Sequence, residues 1–305
     1  MTQTNPLKSL TYLNGQPTEF LSVQDRAVQY GDGFFTTLLV VNDRVLNWSA
    51  HWRRLRLSAE RLQFSALDES QLLQQTAQAV VAFNPECNAT HVVKLLISRG
   101  KSGRGYAIPE RATPLILVQV STAPIQITVQ QSSEQTAPLN FPPFMALQLG
   151  VCDTQTSIQM QLAGIKHLNR LDSVLAQTEV RQKQQQEGIM LNALEQVVGG
   201  TQSNVFMIKA QTLITPKLHL SGVEGTTRYQ LSRLAPLLGL RWKEADLSLE
   251  ELRLADELFL SNAVRGIMPI KQLEQQLFSI EQGIAIHHAW NQWQAENTLS
   301  LKGIK

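Results

Sequence analysis

Leu162-Ala163-Gly164-Ile165-Lys166-His167-Leu168-Asn169-Arg170-Leu171 is the stretch on which the fold turns. A lysine ordinarily stands in water as a solvated charge. Here apolar residues flank Lys166, Gly164 permits close backbone approach, and a helix is expected from about Leu168 to Gln186. That setting favours partial burial, which disfavours the ammonium and lowers its pKa, the condition for a lysine that reacts as an amine. His167 is expected to face away, towards packing or a hydrogen bond, and receives no catalytic role.

Upstream of this segment the pattern is sheet followed by helices. Leu10 to Leu13 ends in Asn14-Gly15, two residues that tolerate the positive φ of a tight hairpin. A second hairpin is expected from Phe34 to Val41, Asn42-Asp43 and Val45 to Trp48. Ser49 is the expected N-cap of the helix that follows, on which Trp52, Leu55, Ala59 and Leu62 recur on one face. A second amphipathic helix is predicted over Glu69 to Phe83. Strands are predicted at Val92 to Ser98 and Leu115 to Val120, around the glycine-rich loop from Gly100 to Gly105. Between about Ser121 and Pro143 the composition turns to Gln, Ser, Thr and Pro, which reads as a linker.

Downstream, strands are predicted at Met145 to Gly150, Ile189 to Leu194, Asn204 to Ile208, Leu213 to Thr215, Arg241 to Ala245 and Glu257 to Ser261. A helix is predicted from Thr226 to about Leu238. Mixed strands and helices in two segments imply an α+β protein, divided as 1–121, a smaller α/β domain, 122–143, the linker, and 144–305, a larger domain.

The 305 residues include 27 basic and 25 acidic ones, a net charge of +2. Nucleic-acid binding needs a concentrated cationic excess, so that class is not expected. The local clusters Arg53, Arg54, Arg56 and Arg99, Lys101, Arg104 suit small anions better. With 43% hydrophobic residues the chain can bury a core without disulfides. Its two cysteines, Cys87 and Cys152, read as thiols of a reducing compartment. The N-terminus lacks the apolar core of a signal peptide, and no apolar run is long enough to span a bilayer. A cytoplasmic protein without membrane partners is therefore expected. No His, Cys, Asp and Glu set has metal-ligand spacing, so no metal is expected.

Several segments occur in a fixed order: SVQDRAVQYGDGFFTT at 22–37, SAHWRRL at 49–55, ISRGKSGRGY at 97–106, AGIKHLNRL at 163–171, TQSNVF at 201–206, GTTR at 225–228 and SNAVRGIMPI at 261–270. From about residue 10 to 270 the chain resembles the fold-type IV pyridoxal-phosphate enzymes, the branched-chain aminotransferase-like group, and within them the aminodeoxychorismate lyases. The AGIKHLNRL segment is the one most specific to the lyases. The resemblance implies a two-domain fold with pyridoxal 5'-phosphate in the cleft between the domains, the larger of them binding the cofactor, and a homodimer.

It also implies roles. Lys166 would hold the cofactor as a Schiff base. Arg54 would pair the phosphate through its guanidinium fork. Thr226 and Thr227, opening a helix after Gly225, would bind the same phosphate, with Asn262 and Ala263 closing its other side. Arg99, Arg104, Tyr106, Thr36 and Arg265 are the candidates for holding the substrate. Asp32 either lines the cleft or caps a turn.

The sequence departs from the pattern at one position. Counting back five residues from Asn204, where the family has a glutamate for the pyridine nitrogen, gives Gly199. Glu195 lies four residues earlier, and strand register does not obviously bring it there. A weaker electron sink disfavours transamination more than an elimination whose leaving oxygen accepts the electrons. The resemblance therefore implies conversion of 4-amino-4-deoxychorismate to 4-aminobenzoate and pyruvate, a step towards folate, with Lys166 as general base. The alternatives are a branched-chain or D-amino-acid aminotransferase, a weakly active pyridoxal-phosphate-binding protein, and a structural protein that binds no cofactor.

Overall fold

The structure, a computed structural model, describes residues 9–129 and 139–304 apart from Cys87 and Arg104. The expectations for Cys87, for Arg104 and for the middle of the linker lie outside the described residues. The chain divides into two compact units.

The first unit is built on one antiparallel sheet. Strand β1 (Ser9–Leu13) returns as β2 (Gln16–Pro17) through Asn14 and Gly15, at φ 49° and 76°. After the short helix α1 (Arg26–Tyr30), β3 (Gly33–Val41) turns into β4 (Arg44–Leu46). Helix α2 (Trp48–Arg61) begins one residue after Asn47, not after the expected cap Ser49. Asn47 adopts φ 53°, a left-handed conformation that asparagine tolerates, and this turns the chain directly from strand into helix. Helix α3 (Glu69–Phe83) starts at Asp68, whose carboxylate accepts from the Gln71 N–H at 3.2 Å. Strands β5 (Thr90–Ser98) and β6 (Leu115–Thr122) complete this part of the sheet.

Strand alternation gives the sheet two unlike faces. Phe34, Thr36, Leu38, Val93, Leu95 and Ile97 are buried on the side covered by α2 and α3. Each fully buried Leu, Ile or Val there contributes about 1.5–3 kcal/mol. The opposite side carries Phe35, Thr37, Lys94, Leu96, Leu117 and Gln119, all half-buried. Within the expected linker, β7 (Thr128–Val129) pairs with β8 (Leu139–Asn140).

The second unit contains β9 (Leu147–Val151), α4 (Leu171–Gln182), β10 (Glu187–Leu191), β11 (Val197–Gly200), β12 (Asn204–Lys209) and β13 (Thr212–Pro216). It continues through α5 (Thr226–Leu237), β14 (Arg241–Ala245), α6 (Leu249–Arg253), β15 (Glu257–Asn262), β16 (Gly266–Leu273), β17 (Gln276–Leu277) and α7 (Glu281–Glu296). Its mixed sheet runs in the order β11-β10-β9-β16-β15-β12-β13-β14, with β17 beside β16. One core gathers Leu147, Ile189, Val205, Leu258 and Ile270. The other packs Phe206 and Phe259, stacked at 4.8 Å, with Leu231 and Leu234 of α5 and Trp290 of α7.

Two short returns interrupt what the sequence reads as a continuous domain at 144–305. Lys166–Asn169 and Gln294–Lys305 both belong to the first unit. The cause of the first is backbone pairing: the Leu168 N–H donates to Gly33 O at 3.0 Å, so this segment lies against β3 and helix α4 starts only at Leu171. The cause of the second is β18 (Thr298–Ser300), which pairs antiparallel with β4.

Candidate active site

Lys166 is held by its main chain. Its carbonyl accepts the Phe35 N–H at 2.9 Å, and His167 forms an antiparallel bridge to Phe34. These bonds set the half-buried lysine on the Phe35 side of the sheet, with Nζ 4.7 Å from the centroid of that ring. An amine against an aromatic face, on a segment fixed at both ends, is oriented for chemistry at Nζ.

On the opposite, buried face lies a cluster around Arg54. Spacing of i, i+3 puts His51 and Arg54 on the inner side of α2, over Thr36 of β3. Thr36 Oγ1 is 2.7 Å from His51 Nδ1 and accepts a hydrogen bond from Arg54 Nη2. Burial, then the adjacent Arg54 charge, push the His51 pKa well below its ordinary value, so the ring is neutral. Thr36 is fully buried, and its hydroxyl serves Arg54 and His51. The substrate contact expected of it is not what this geometry supports.

Arg99 departs from expectation in the same way. Its Nε donates to Asp32 Oδ2 at 2.8 Å, its Nη1 and Nη2 donate to the carbonyls of Gln63 and Leu62, and its guanidinium lies 3.9 Å from the Phe64 ring centroid. It is buried and holds the loop after α2 instead of facing a substrate carboxylate. Arg26 donates to the same Asp32 oxygen at 2.7 Å and to the carbonyls of Gly105 and Tyr106. Asp32 therefore bridges two buried arginines.

Burial raises the Asp32 pKa, but hydrogen bonds and charge from Arg99 and Arg26 outweigh it, and the net shift is downward. A depressed folded-state value contributes stability above the unfolded carboxylate pKa and loses it as pH falls towards the folded value. Asp32→Asn should therefore cost about 3 kcal/mol near neutral pH by leaving buried arginines uncompensated. The gap in melting temperature from the wild type should close in acid below about pH 4. A gap that stays constant across that range contradicts the assignment.

Tyr106 is 84% exposed, with its ring 5.3 Å from that of Tyr30. Arg265 is exposed in the β15–β16 turn, where the backbone N–H groups of Val264 and Arg265 donate to Asn262 Oδ1 at 3.0 and 2.7 Å. Asn262 thus shapes the turn that carries Ala263 and Arg265.

In the second unit α5 begins at Gly225 with no side-chain cap on its N-terminus. A Cβ at Gly225 would collide with Asn204 Oδ1, whose amide nitrogen donates to Val223 O at 2.9 Å. Thr226 and Thr227 are buried in the first turn. Among the described residues the buried hydroxyls of Thr227 and of Ser261, beside Asn262, have no hydrogen-bond partner. Helix N–H groups without a side-chain cap, together with unsatisfied hydroxyls, are donors for a phosphate, and this donor set fits the phosphate of the expected cofactor.

Glu187 is a residue the sequence reading missed. It is 2% exposed, and its Oε1 accepts from the N–H groups of Gly188 and Thr201, each at 3.1 Å, and from the Thr201 hydroxyl and the Gln177 amide. Oε2 accepts from Ser203 Oγ at 3.3 Å. A buried carboxylate thus fastens the turn between β11 and β12. Glu195 is exposed on the β10–β11 turn at φ 57°. Gly199 stands where a Cβ would be 2.7 Å from the Ser203 carbonyl oxygen. Gly199→Ala should cost about 1–3 kcal/mol through that overlap, and Gly199→Glu should lower the melting temperature as well. Unchanged melting of both variants would contradict the tight turn.

Among the described residues no group of His, Cys, Asp and Glu could hold a metal ion, and no helix is long and apolar enough to cross a membrane.

Known proteins share this chain's sequence and fold. The chain is 30% identical over 259 residues to the aminodeoxychorismate lyase of Vibrio harveyi, covering 85% of this chain and 89% of that protein. It is 29% identical over 255 residues to a D-alanine aminotransferase of Listeria monocytogenes, covering 83% and 82%. The crystal structure of 4-amino-4-deoxychorismate lyase from Pseudomonas aeruginosa superposes with a TM-score of 0.78 at 33% identity, covering 92% of this chain and 97% of that one. The family profile described as Amino-transferase class IV matches residues 33–273. On a sheet that presents a fixed lysine, a helix that presents an arginine and a second helix that opens on paired threonines, this chain belongs to the class IV aminotransferase family.

Proposed function

We propose that this enzyme converts 4-amino-4-deoxychorismate to 4-aminobenzoate and pyruvate, using pyridoxal 5'-phosphate. The observation that carries the proposal is Lys166, fixed within AGIKHLNRL against β3 with its amine over Phe35. When bound, pyridoxal phosphate makes the carbon bearing the substrate amine acidic by accepting its electrons.

The chain's own residues supply the rest. Lys166 Nζ would hold the cofactor covalently, and its free amine would receive the proton from the ring carbon that bears the substrate amine. The bond from ring carbon to enolpyruvyl oxygen then breaks, and the oxygen leaves with the electron pair. Protonated by Lys166 or water, the departing group tautomerises to pyruvate, and the ring becomes aromatic. The resemblance assigns the cofactor phosphate to Arg54, whose guanidinium donates to Thr36, and to Thr226 and Thr227, which would offer hydroxyls and N–H groups from the start of α5.

Glycine at position 199 favours elimination over transamination, because no carboxylate there holds a proton on the ring nitrogen. Tyr106 and Arg265, both exposed, remain the substrate contacts of this reading together with Arg104. Leu171, Val174 and Leu175, exposed along α4, suit the protein's assembly as a homodimer. Incubation with 4-amino-4-deoxychorismate should release pyruvate and 4-aminobenzoate in equal amounts. Transfer of the amino group of D-alanine to 2-oxoglutarate, with no pyruvate from 4-amino-4-deoxychorismate, would replace the lyase by an aminotransferase.

A further inference from the structure

Two residues before Lys166 the chain is tied to the start of α5. The Gly164 N–H donates to Gly222 O at 3.0 Å, the Glu224 N–H donates to Gly164 O at 2.9 Å, and Gly164 forms a parallel bridge to Val223. The strap 222–225 then runs directly into the helix. Its other side leans on a single side chain. Asn204, which opens β12 and is buried, donates from Nδ2 to Val223 O at 2.9 Å, while its Oδ1 occupies the space a Cβ on Gly225 would need. Asn204 pairs with Ser261 of β15, and two residues along Phe206 pairs with Phe259. Strand alternation puts these four side chains on one face. The two rings pack with Leu231 and Leu234 of α5. The face is thus apolar against the body of the helix and polar where the helix opens, beside the unpartnered hydroxyls of Thr227 and Ser261.

We propose that Asn204 is a positioning residue for the cofactor phosphate: it fixes the first turn of α5 where its N–H groups and the Thr227 hydroxyl converge on that anion. Packing of Phe206, Phe259, Leu231 and Leu234 holds the helix to the sheet, but apolar contact is non-directional and does not set the helix along its own axis. A hydrogen bond to Val223 O and close contact with Gly225 do set it, because both act on the residues that lead into the first turn. Gly225 stands at φ −65° and ψ 144°, a conformation any residue adopts. What demands glycine there is Asn204 alone: its short side chain is tied to Val223 O and cannot give way without breaking that bond.

This role rests on α5 as the phosphate site, and it is the same whether the enzyme eliminates or transaminates. Equilibrium dialysis of the full chain against pyridoxal 5'-phosphate and against pyridoxal tests it, since both carry the aldehyde for Lys166 and only one carries the phosphate. Asn204→Ala should weaken retention of pyridoxal phosphate about 10-fold, the scale of one hydrogen bond, and leave pyridoxal unchanged. Gly225→Ala should do the same by displacing Asn204. In the double variant the new methyl meets no amide, so the two losses should not add. Equal weakening of both compounds by Asn204→Ala overturns the proposal, as does a double variant in which the losses add. Thr227→Val separates it from the reading beneath it. If that variant lowers the preference for the phosphorylated compound and Asn204→Ala does not, the positioning role alone falls. If neither alters the preference, the phosphate reading of α5 falls and the role with it.

Discussion

Lys166→Ala should abolish the visible absorbance of the cofactor-loaded protein and reduce pyruvate release by roughly a thousandfold or more. The side chain is the only part of the residue removed. The bonds that seat the segment on β3, from Phe35 N–H to Lys166 O and from Leu168 N–H to Gly33 O, are main-chain bonds that alanine keeps. What disappears is a covalent anchor and a proton acceptor at one position. General acid–base catalysis alone is worth about 10²- to 10⁴-fold, and loss of the covalent step adds to it. The folded state loses little, since an amine over a ring contributes about 0.5–1 kcal/mol. A melting temperature near that of the wild type, beside absent absorbance and turnover, is the expected pair of results. Undiminished turnover in the variant would remove Lys166 from the mechanism.

Arg54→Ala should weaken cofactor retention by about 10²- to 10³-fold, the equivalent of about 3–4 kcal/mol for paired charge-assisted bonds. Truncation also leaves Thr36 Oγ1 without the donor it has in Arg54 Nη2, at a buried site where His51 is neutral and supplies no replacement charge. Arg54→Lys should recover only a small part, because a single ammonium cannot reproduce a planar fork. Equilibrium dialysis of the cofactor against each variant near neutral pH measures this directly. Equal retention by the alanine variant would mean that the phosphate is held by α5 without the arginine.

The elements legible in the sequence were those with a strong local signal. Asn14-Gly15 specified its hairpin, and the span from Glu69 to Phe83 specified α3, because turn chemistry and apolar period act within a few residues. Boundaries shifted where a distant partner intervened. Helix α4 starts three residues later than expected because Leu168 bonds to β3, and α2 starts earlier because Asn47 takes the left-handed turn.

The candidate site divides in the same way. Lys166, Arg54 and Thr227 stood in recognisable words. The task of Arg99 was hidden, because its partners come from Asp32 and from carbonyls at positions 62 and 63. Glu187 offered a faint signal, an acidic residue opening the apolar run Gly188 to Leu191, but its donors lie across a strand turn.

The last strand, β18, has a consequence for synthesis. The Asn47 N–H that begins α2 donates to Asn297 O at 2.8 Å, and Thr298 to Ser300 cover the edge of β4. An N-terminal segment emerging from the ribosome carries that edge bare until residues 298–300 are made. Such an uncovered edge is a template for mispairing, so residues 1–142 produced as an isolated fragment should aggregate more readily than the whole chain, and adding a peptide of residues 294–305 should suppress it.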